Sequence, residues 1–212
     1  YSDFDESVHV TEPFDVPREW YDNISIDPGL HNPLSAHFYA VDYDGNIYVI
    51  AEHFEAEKDV AYHATRLMEI ANRLDWQRDS KGRLSALIDS AADQKTLASS
   101  KSVSDLFYEN GILVNSKVDK DMWSGIARVR QLFAERPRRI VIFNTCVNLI
   151  RELKTYRWGD GDRPNKSDDH ALDELRYYVM SKPHAPEIKR EETIQARYKN
   201  KLIKKISMGR YG

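Results

Sequence analysis

Three groups of acidic residues stand out for where they fall in the chain. Asp27 closes the short alternating run Ile24-Ser25-Ile26, and Asp89 closes the apolar run at 84–88. Asp169, His170 and Asp173 lie together at the start of a helical stretch. Spacings of three and four put these last three on one face of a helix. Crowded carboxylates repel one another unless a cation lies among them, and hard divalent ions such as Mg²⁺ favour oxygen ligands. A neighbouring histidine makes Mn²⁺ a good alternative. Two such ions, about 3.5–4 Å apart, supply what phosphodiester hydrolysis needs: an activated water, charge neutralisation at phosphorus and help for the leaving oxygen. Each residue also suits a simpler role. Asp27-Pro28-Gly29 reads as a turn and Asp89-Ser90 as a helix cap. Asp168 and Asp169 read as first-turn acids favoured by the helix dipole, and His170 as a structural residue.

The elements that must position these groups follow from periodicity. Ile24 and Ile26 alternate with polar neighbours, a short strand ended by Pro28-Gly29. Strands follow at 35–42 and 47–54, joined by Tyr43-Asp44-Gly45-Asn46, where Asp44-Gly45 signals a hairpin turn. From Asp59, placed as a cap, Val60, Ala64, Leu67, Ala71 and Leu74 recur at helical spacing. A buried strand at 84–88, a helix at 103–109, a short strand at 112–114 and a helix at 122–135 come next. After them come a buried strand at 140–143, a helix at 148–156, a Gly/Asp/Pro loop, and a helix capped by Ser167 that runs to Met180. An antiparallel three-strand meander followed by αβ units that add parallel strands is the RNase H-like arrangement. The expected fold is therefore α/β, with a mixed central sheet flanked by helices. In that sheet the strands ending at Asp27 and Asp89 are neighbours, so their carboxylates converge at one edge.

Composition sets the outer bounds. The chain has 212 residues, 41% hydrophobic and 31% charged, with a formal net charge of −3. That is enough apolar material for a real core, and no global positive charge announces nucleic-acid binding. The single cysteine, Cys146, excludes an internal disulfide framework and fits a reducing compartment. No apolar run approaches the ~18 residues of a membrane span, and no secretory signal is visible at the N-terminus. We expect three parts: residues 1–20 as an irregular lead-in from an upstream domain, 21–181 as the catalytic domain, and 182–212 as a basic tail.

Three stretches carry a family resemblance: Ile24-Ser-Ile-Asp-Pro-Gly29, Ala86-Leu-Ile-Asp-Ser-Ala-Ala-Asp93 and, above all, Asp168-Asp-His-Ala-Leu-Asp-Glu-Leu-Arg-Tyr177. With Asn144–Leu153, Tyr156 and Trp158, they resemble the nuclease domain of tailed-bacteriophage terminase large subunits, over about residues 10–181. The resemblance implies an endonuclease that cuts concatemeric viral DNA during genome packaging, with two divalent cations, Mg²⁺ or Mn²⁺. It implies Asp27, Asp89 and Asp173 as catalytic residues. Asp27 would bridge both metals, Asp89 would complete one site, and Asp173 with His170 the other. Asp169 is a supporting or alternative ligand, and Asp93 and Glu52 are lesser candidates. It implies double-stranded DNA, the terminase ATPase domain, the small terminase subunit and the portal as partners, and action in the host bacterial cytoplasm without a membrane. The chain holds no GxxxxGK[ST] phosphate loop, so cleavage without ATP hydrolysis is expected.

Basic residues that could guide DNA are Lys81, Arg83, Lys95, Lys101, Lys117 and Lys120, with Lys201, Lys204 and Lys205 in the tail. There, Ile203 and Ile206 among lysines suggest a basic amphipathic helix. Two other readings compete: a different RNase H-like nuclease, such as a Holliday-junction resolvase or a transposase core, and a non-enzymatic docking module with merely structural acids.

Overall fold

A computed structural model describes residues 1–29, 32–95, 100–156 and 169–181. Helix α1 (Glu6–His9) and strand β1 (Val10–Thr11) come first, then a 3-10 turn at Arg18–Trp20. Strands β2 (Tyr21–Asp27), β3 (Leu34–Val41) and β4 (Ile47–Glu55) form the expected meander. Then follow α2 (Val60–Leu74), β5 (Leu84–Ile88), a 3-10 turn at Ser90–Asp93, α3 (Val103–Glu109) and β6 (Ile112–Asn115). The described chain closes with α4 (Met122–Ala134), β7 (Ile140–Phe143), α5 (Val147–Thr155) and α6 (His170–Met180).

The seven strands make one mixed sheet in the order β1-β7-β4-β3-β2-β5-β6. The pairs β2–β3 and β3–β4 are antiparallel, while β5 joins β2, β6 joins β5, β7 joins β4 and β1 joins β7 in parallel. This is the RNase H-like arrangement. The central strand β3 is buried along its whole length, as a strand covered on both faces must be. Gly45 turns the β3–β4 hairpin at φ +80°, a conformation that an L side chain resists. Among the described residues no helix is long and apolar enough to cross a membrane.

Element boundaries fall within a few residues of expectation, with two corrections of substance. Residues 1–20 are not an irregular lead-in. Asp5 caps α1 by accepting from the Ser7 N–H at 2.9 Å, and Val10 and Thr11 register against Ile142 and Phe143. A two-residue strand is too short to show period-two alternation, and its pairing depends on a partner over a hundred residues away. The first meander strand also begins at Tyr21, because a register shift between Tyr21 and Asn23 hides its alternation. The last helix starts at His170 with Asp169 in the cap position, so Ser167 is not its cap; Ser167 itself lies outside the described residues, as do Asp168, Trp158 and the tail with Lys201, Lys204 and Lys205.

Helix α2 is capped by Asp59, which accepts from the Tyr62 N–H at 2.8 Å, and buries His63, Ala64, Leu67, Ile70 and Ala71. His63 Nδ1 meets His53 Nε2 of β4 at 2.8 Å. Burial, helped by His63, lowers the pKa of His53 to about 4. The unfolded chain takes up a proton near pH 6.5, where the folded chain does not. Stability from this residue is therefore present above pH 6.5 and lost as pH falls toward 4. Urea unfolding at pH 7 and pH 5 is expected to show a loss of about 2 kcal/mol attributable to His53. That part of the loss should be missing in His53→Gln.

Candidate active site

The register of β2 on β5 pairs Ile26 with Ile88, so the next residue of each strand, Asp27 and Asp89, leaves the sheet at the same edge. Asp27 is 8% exposed, and a side chain that deep needs partners. His170 Nδ1 lies 3.1 Å from Asp27 Oδ2, and the Tyr177 hydroxyl spans the pair, 3.4 Å from Asp27 Oδ1 and 3.0 Å from Asp89 Oδ2. His170, Asp173 and Tyr177 follow one another at helical spacings of three and four, so one face of α6 overhangs the two strand ends.

Helix α6 is pinned in that pose by buried polar contacts. Glu174, on its sheet side, has Oε2 2.5 Å from His37 Nδ1 and accepts from the Tyr39 hydroxyl at 2.9 Å, while its carbonyl accepts from Ser25 Oγ at 3.1 Å. Glu152 of α5 caps the start of α6, accepting from the Ala171 and Leu172 N–H groups at 2.8 and 3.3 Å. Burial pushes the Glu152 carboxyl up to about 7, against these two donors. Leu172, Leu175 and Val179 are buried beneath the helix, as their spacing requires. Helix α4 approaches α6 at Gly125, where an added Cβ would stand 2.9 Å from the Arg176 side chain. The space left by that missing Cβ admits Arg176, which pairs with Asp173.

A cavity of about 420 Å³ opens over this edge, lined by Asp89, Asp169, His170, Asp173, Arg176 and Tyr177, with Asn32, Asp119, Lys120, Asp121 and Met122 across from them. Burial raises the Asp27 carboxyl, the charges on Asp89 and Asp169 add to this, and His170 works against it. Burial also opposes the charge on Asp89. The Ala91 N–H, Lys120 and Tyr177 outweigh it and hold that carboxyl below its usual range. Burial first, then Asp27 and Asp89, keep the Tyr177 phenol well above its ordinary value, so it acts as a donor.

The sequence-derived set is thus brought to one place. Asp27, Asp89, Asp169, His170 and Asp173 lie on or beside one cavity, with Asp169 as the residue preceding α6. As it stands, each of the three catalytic candidates is held by a protein partner, and among the described residues no three His, Cys, Asp or Glu side chains meet closely enough to grip an ion. The donor set nevertheless suits a hard cation: oxygen-rich, with one carboxylate, Asp27, whose charge burial disfavours.

A family model described as the terminase RNaseH-like domain matches residues 24–182. The chain belongs to this family. Solved structures agree at the level of fold. The nuclease domain of the P22 large terminase is 19% identical, with a TM-score of 0.70 over 84% of this chain and 89% of that one. The large terminase of the thermophilic bacteriophage D6E is 24% identical, with a TM-score of 0.66 over 86% of this chain and 44% of that one. The chain therefore spans less than half of that terminase. The nuclease domain of the bacteriophage SPP1 large terminase, solved with bound Mn, is 18% identical, with a TM-score of 0.50 over 80% of this chain and 93% of that one. No curated protein matches the chain.

Within this terminase domain, the lesser candidates are occupied elsewhere. Glu52 accepts from the Asn148 and Leu149 N–H groups at 3.0 and 2.8 Å, capping α5, and lies 3.0 Å from His37 Nε2. Asp93 accepts from the Ser104 and Ser116 hydroxyls. Of the basic candidates, Arg83 pairs with Asp79 at 2.8 Å and stacks over Tyr108, Lys101 pairs with Glu109 at 2.7 Å, and Lys95 stands 3.9 Å from Asp105. Lys81 and Lys117 are exposed, away from the cavity lining, whereas Lys120 belongs to it. Sequence reasoning missed Tyr177 as a site residue. Its signal was present, four residues past Asp173 on the same helical face.

Proposed function

We propose that this chain is a divalent-metal-dependent endonuclease that cuts double-stranded DNA during phage genome packaging. What supports the reading most is the convergence of Asp27 and Asp89 on a single hydroxyl beneath the acidic face of α6. Membership of the terminase RNase H-like family and the manganese in the SPP1 nuclease agree with it. Asp27 and Asp89 would hold the metals from the strand ends, and Asp173 with His170 from the helix and Asp169 from the position before it. When bound, two such ions activate water and neutralise charge on the phosphate and the leaving oxygen.

The chain's own residues prepare that chemistry. The single O–H of Tyr177 lies within reach of both strand-end carboxylates, 3.0 Å from Asp89 and 3.4 Å from Asp27, and donating to either keeps the two in register. His170 orients Asp27, and the Glu174 and Glu152 contacts keep the helix over the strand ends, so a metal would need to draw side chains together but not to move the elements that carry them. The ATPase domain, the small terminase subunit and the portal are the proposed partners in packaging. The exposed Lys81 and Lys117 are proposed to add to DNA contact, and the proposed place of action is the host bacterial cytoplasm. With a net charge of −3, the isolated chain is expected to bind DNA weakly, since phosphate contacts dominate affinity.

Supercoiled plasmid incubated with the chain should be nicked in Mn²⁺ or Mg²⁺ and left intact in excess chelator. Nicking that persists in chelator rules out the metal-dependent reading. Cleavage of four-way junctions in strong preference to linear duplex would point to a resolvase instead.

A further inference from the structure

Three basic side chains line the cavity among the described residues, and two of them are committed. The side chain of Arg176 is 8% exposed and paired with Asp173, and that of His170 is 19% exposed and bonded to Asp27. Lys120 differs. Its side chain is 42% exposed, and its Nζ donates to Asp89 Oδ1 at 2.7 Å. The loop that carries it, between β6 and α4, is tied down at both ends. Ser116 Oγ donates to Asp93 in the turn that follows Asp89, and Asn115 Oδ1 accepts from the Lys117 N–H at 3.1 Å. Asp119 Oδ1 accepts from the Asp121 N–H at 2.9 Å, and Asp121 caps α4 through the Ser124 N–H at 2.7 Å. The backbone is held, while the four-carbon stem can turn.

An ammonium group and a divalent cation compete for the same carboxylate, and their like charges repel. A metal on Asp89 therefore displaces Lys120. The negative charge that next enters this cavity is a phosphate of bound DNA, within the sweep of a lysine whose backbone stays fixed. We infer that Lys120 is a catalytic residue with two positions: it neutralises Asp89 before metal binds, and once displaced it contacts the phosphate being cut. There it adds positive charge opposite the charge that develops in the transition state. The inference rests on the nuclease reading above and deepens it.

The two positions predict effects of opposite sign in one variant. In calorimetric titration with Mn²⁺ alone, Lys120→Ala should bind the metal up to about fivefold more tightly than the parent, the value of a partly exposed ion pair that no longer competes. In plasmid nicking at saturating Mn²⁺, the same variant should be slower by on the order of 10- to 100-fold. Lys120→Arg should fall between parent and alanine variant in both assays. Lys120 is half exposed, so its loss does not threaten the core. Unchanged or weaker Mn²⁺ binding by Lys120→Ala overturns the inference, and so does an undiminished nicking rate at saturating metal. A parent chain that neither binds Mn²⁺ nor nicks DNA overturns the nuclease reading itself, a separate result.

Discussion

Asp27→Asn is expected to remove nicking activity while leaving the fold as stable as before, or more so. The activity arm follows from position. Asp27 is the carboxylate at the end of β2 that touches both His170 and Tyr177, and its partner strand brings Asp89 alongside. Asparagine keeps the shape and one neutral oxygen but no charge, so it holds a divalent cation far more weakly than the carboxylate does. If the metals contribute several kcal/mol to the transition state, their loss lowers the rate on the order of 10³-fold or more. The stability arm follows from burial. Burial raises the Asp27 carboxyl, so its charge at pH 7 is a cost to the folded state, and a neutral amide escapes it. The contrast with Asp173→Ala makes the point sharper. That change strips the partner from Arg176, a side chain 8% exposed, and should lower activity and stability together. Plasmid nicking with urea unfolding on the same preparations reads both arms. Full activity in Asp27→Asn would refute the assignment of the site.

The second large effect concerns stability and lies behind the site. His37 is fully buried between Glu174, 2.5 Å from its Nδ1, and Glu52, 3.0 Å from its Nε2. Burial works against a charged imidazole, but the two glutamates overcome it and raise its pKa to about 10. Its stabilising contribution is therefore complete below pH 6.5 and fades as pH rises toward 10. His37→Ala leaves Glu174 buried with a cationic partner gone. Breaking a buried pair in this way costs about 3–5 kcal/mol, a large part of the ~5–15 kcal/mol that holds a domain together. Replacing both partners, as in His37→Phe with Glu174→Leu, removes the deeper buried charge along with its partner, while Glu52 keeps the Asn148 and Leu149 N–H donors. It should recover most of the loss in urea unfolding at pH 7. A single variant that costs less than about 1 kcal/mol would show that the pair is not the clasp described here. Because Glu174 belongs to α6, the single variant should also loosen the helix that presents His170 and Asp173, and nicking should fall with it.

Much of this was legible from the chain alone. The meander, the later strands and five of the helices follow from apolar spacing and caps, since both are properties of neighbouring residues. Asp59 before α2 illustrates this: it caps within three residues of its own position. Elements whose existence depends on distant partners were not legible, β1 above all, which is a strand only because Ile142 and Phe143 lie beside it. Asp89 shows that alternative readings of one residue need not exclude each other. It caps the turn that follows it, accepting from the Ala91 N–H at 2.7 Å, and it also faces the cavity.

What the chain by itself determined is the chemistry on offer: which carboxylates end strands, and that His170 and Asp173 share a helical face. Period and spacing decide those matters locally. Only the tertiary structure decided which groups meet and in what state. It bonded His170 to Asp27, turned Asp173 toward Arg176, placed Tyr177 across two carboxylates and brought Lys120 onto Asp89 from 31 residues away. Those pairings depend on strand register and on helix packing through buried partners, long-range quantities that no local pattern encodes.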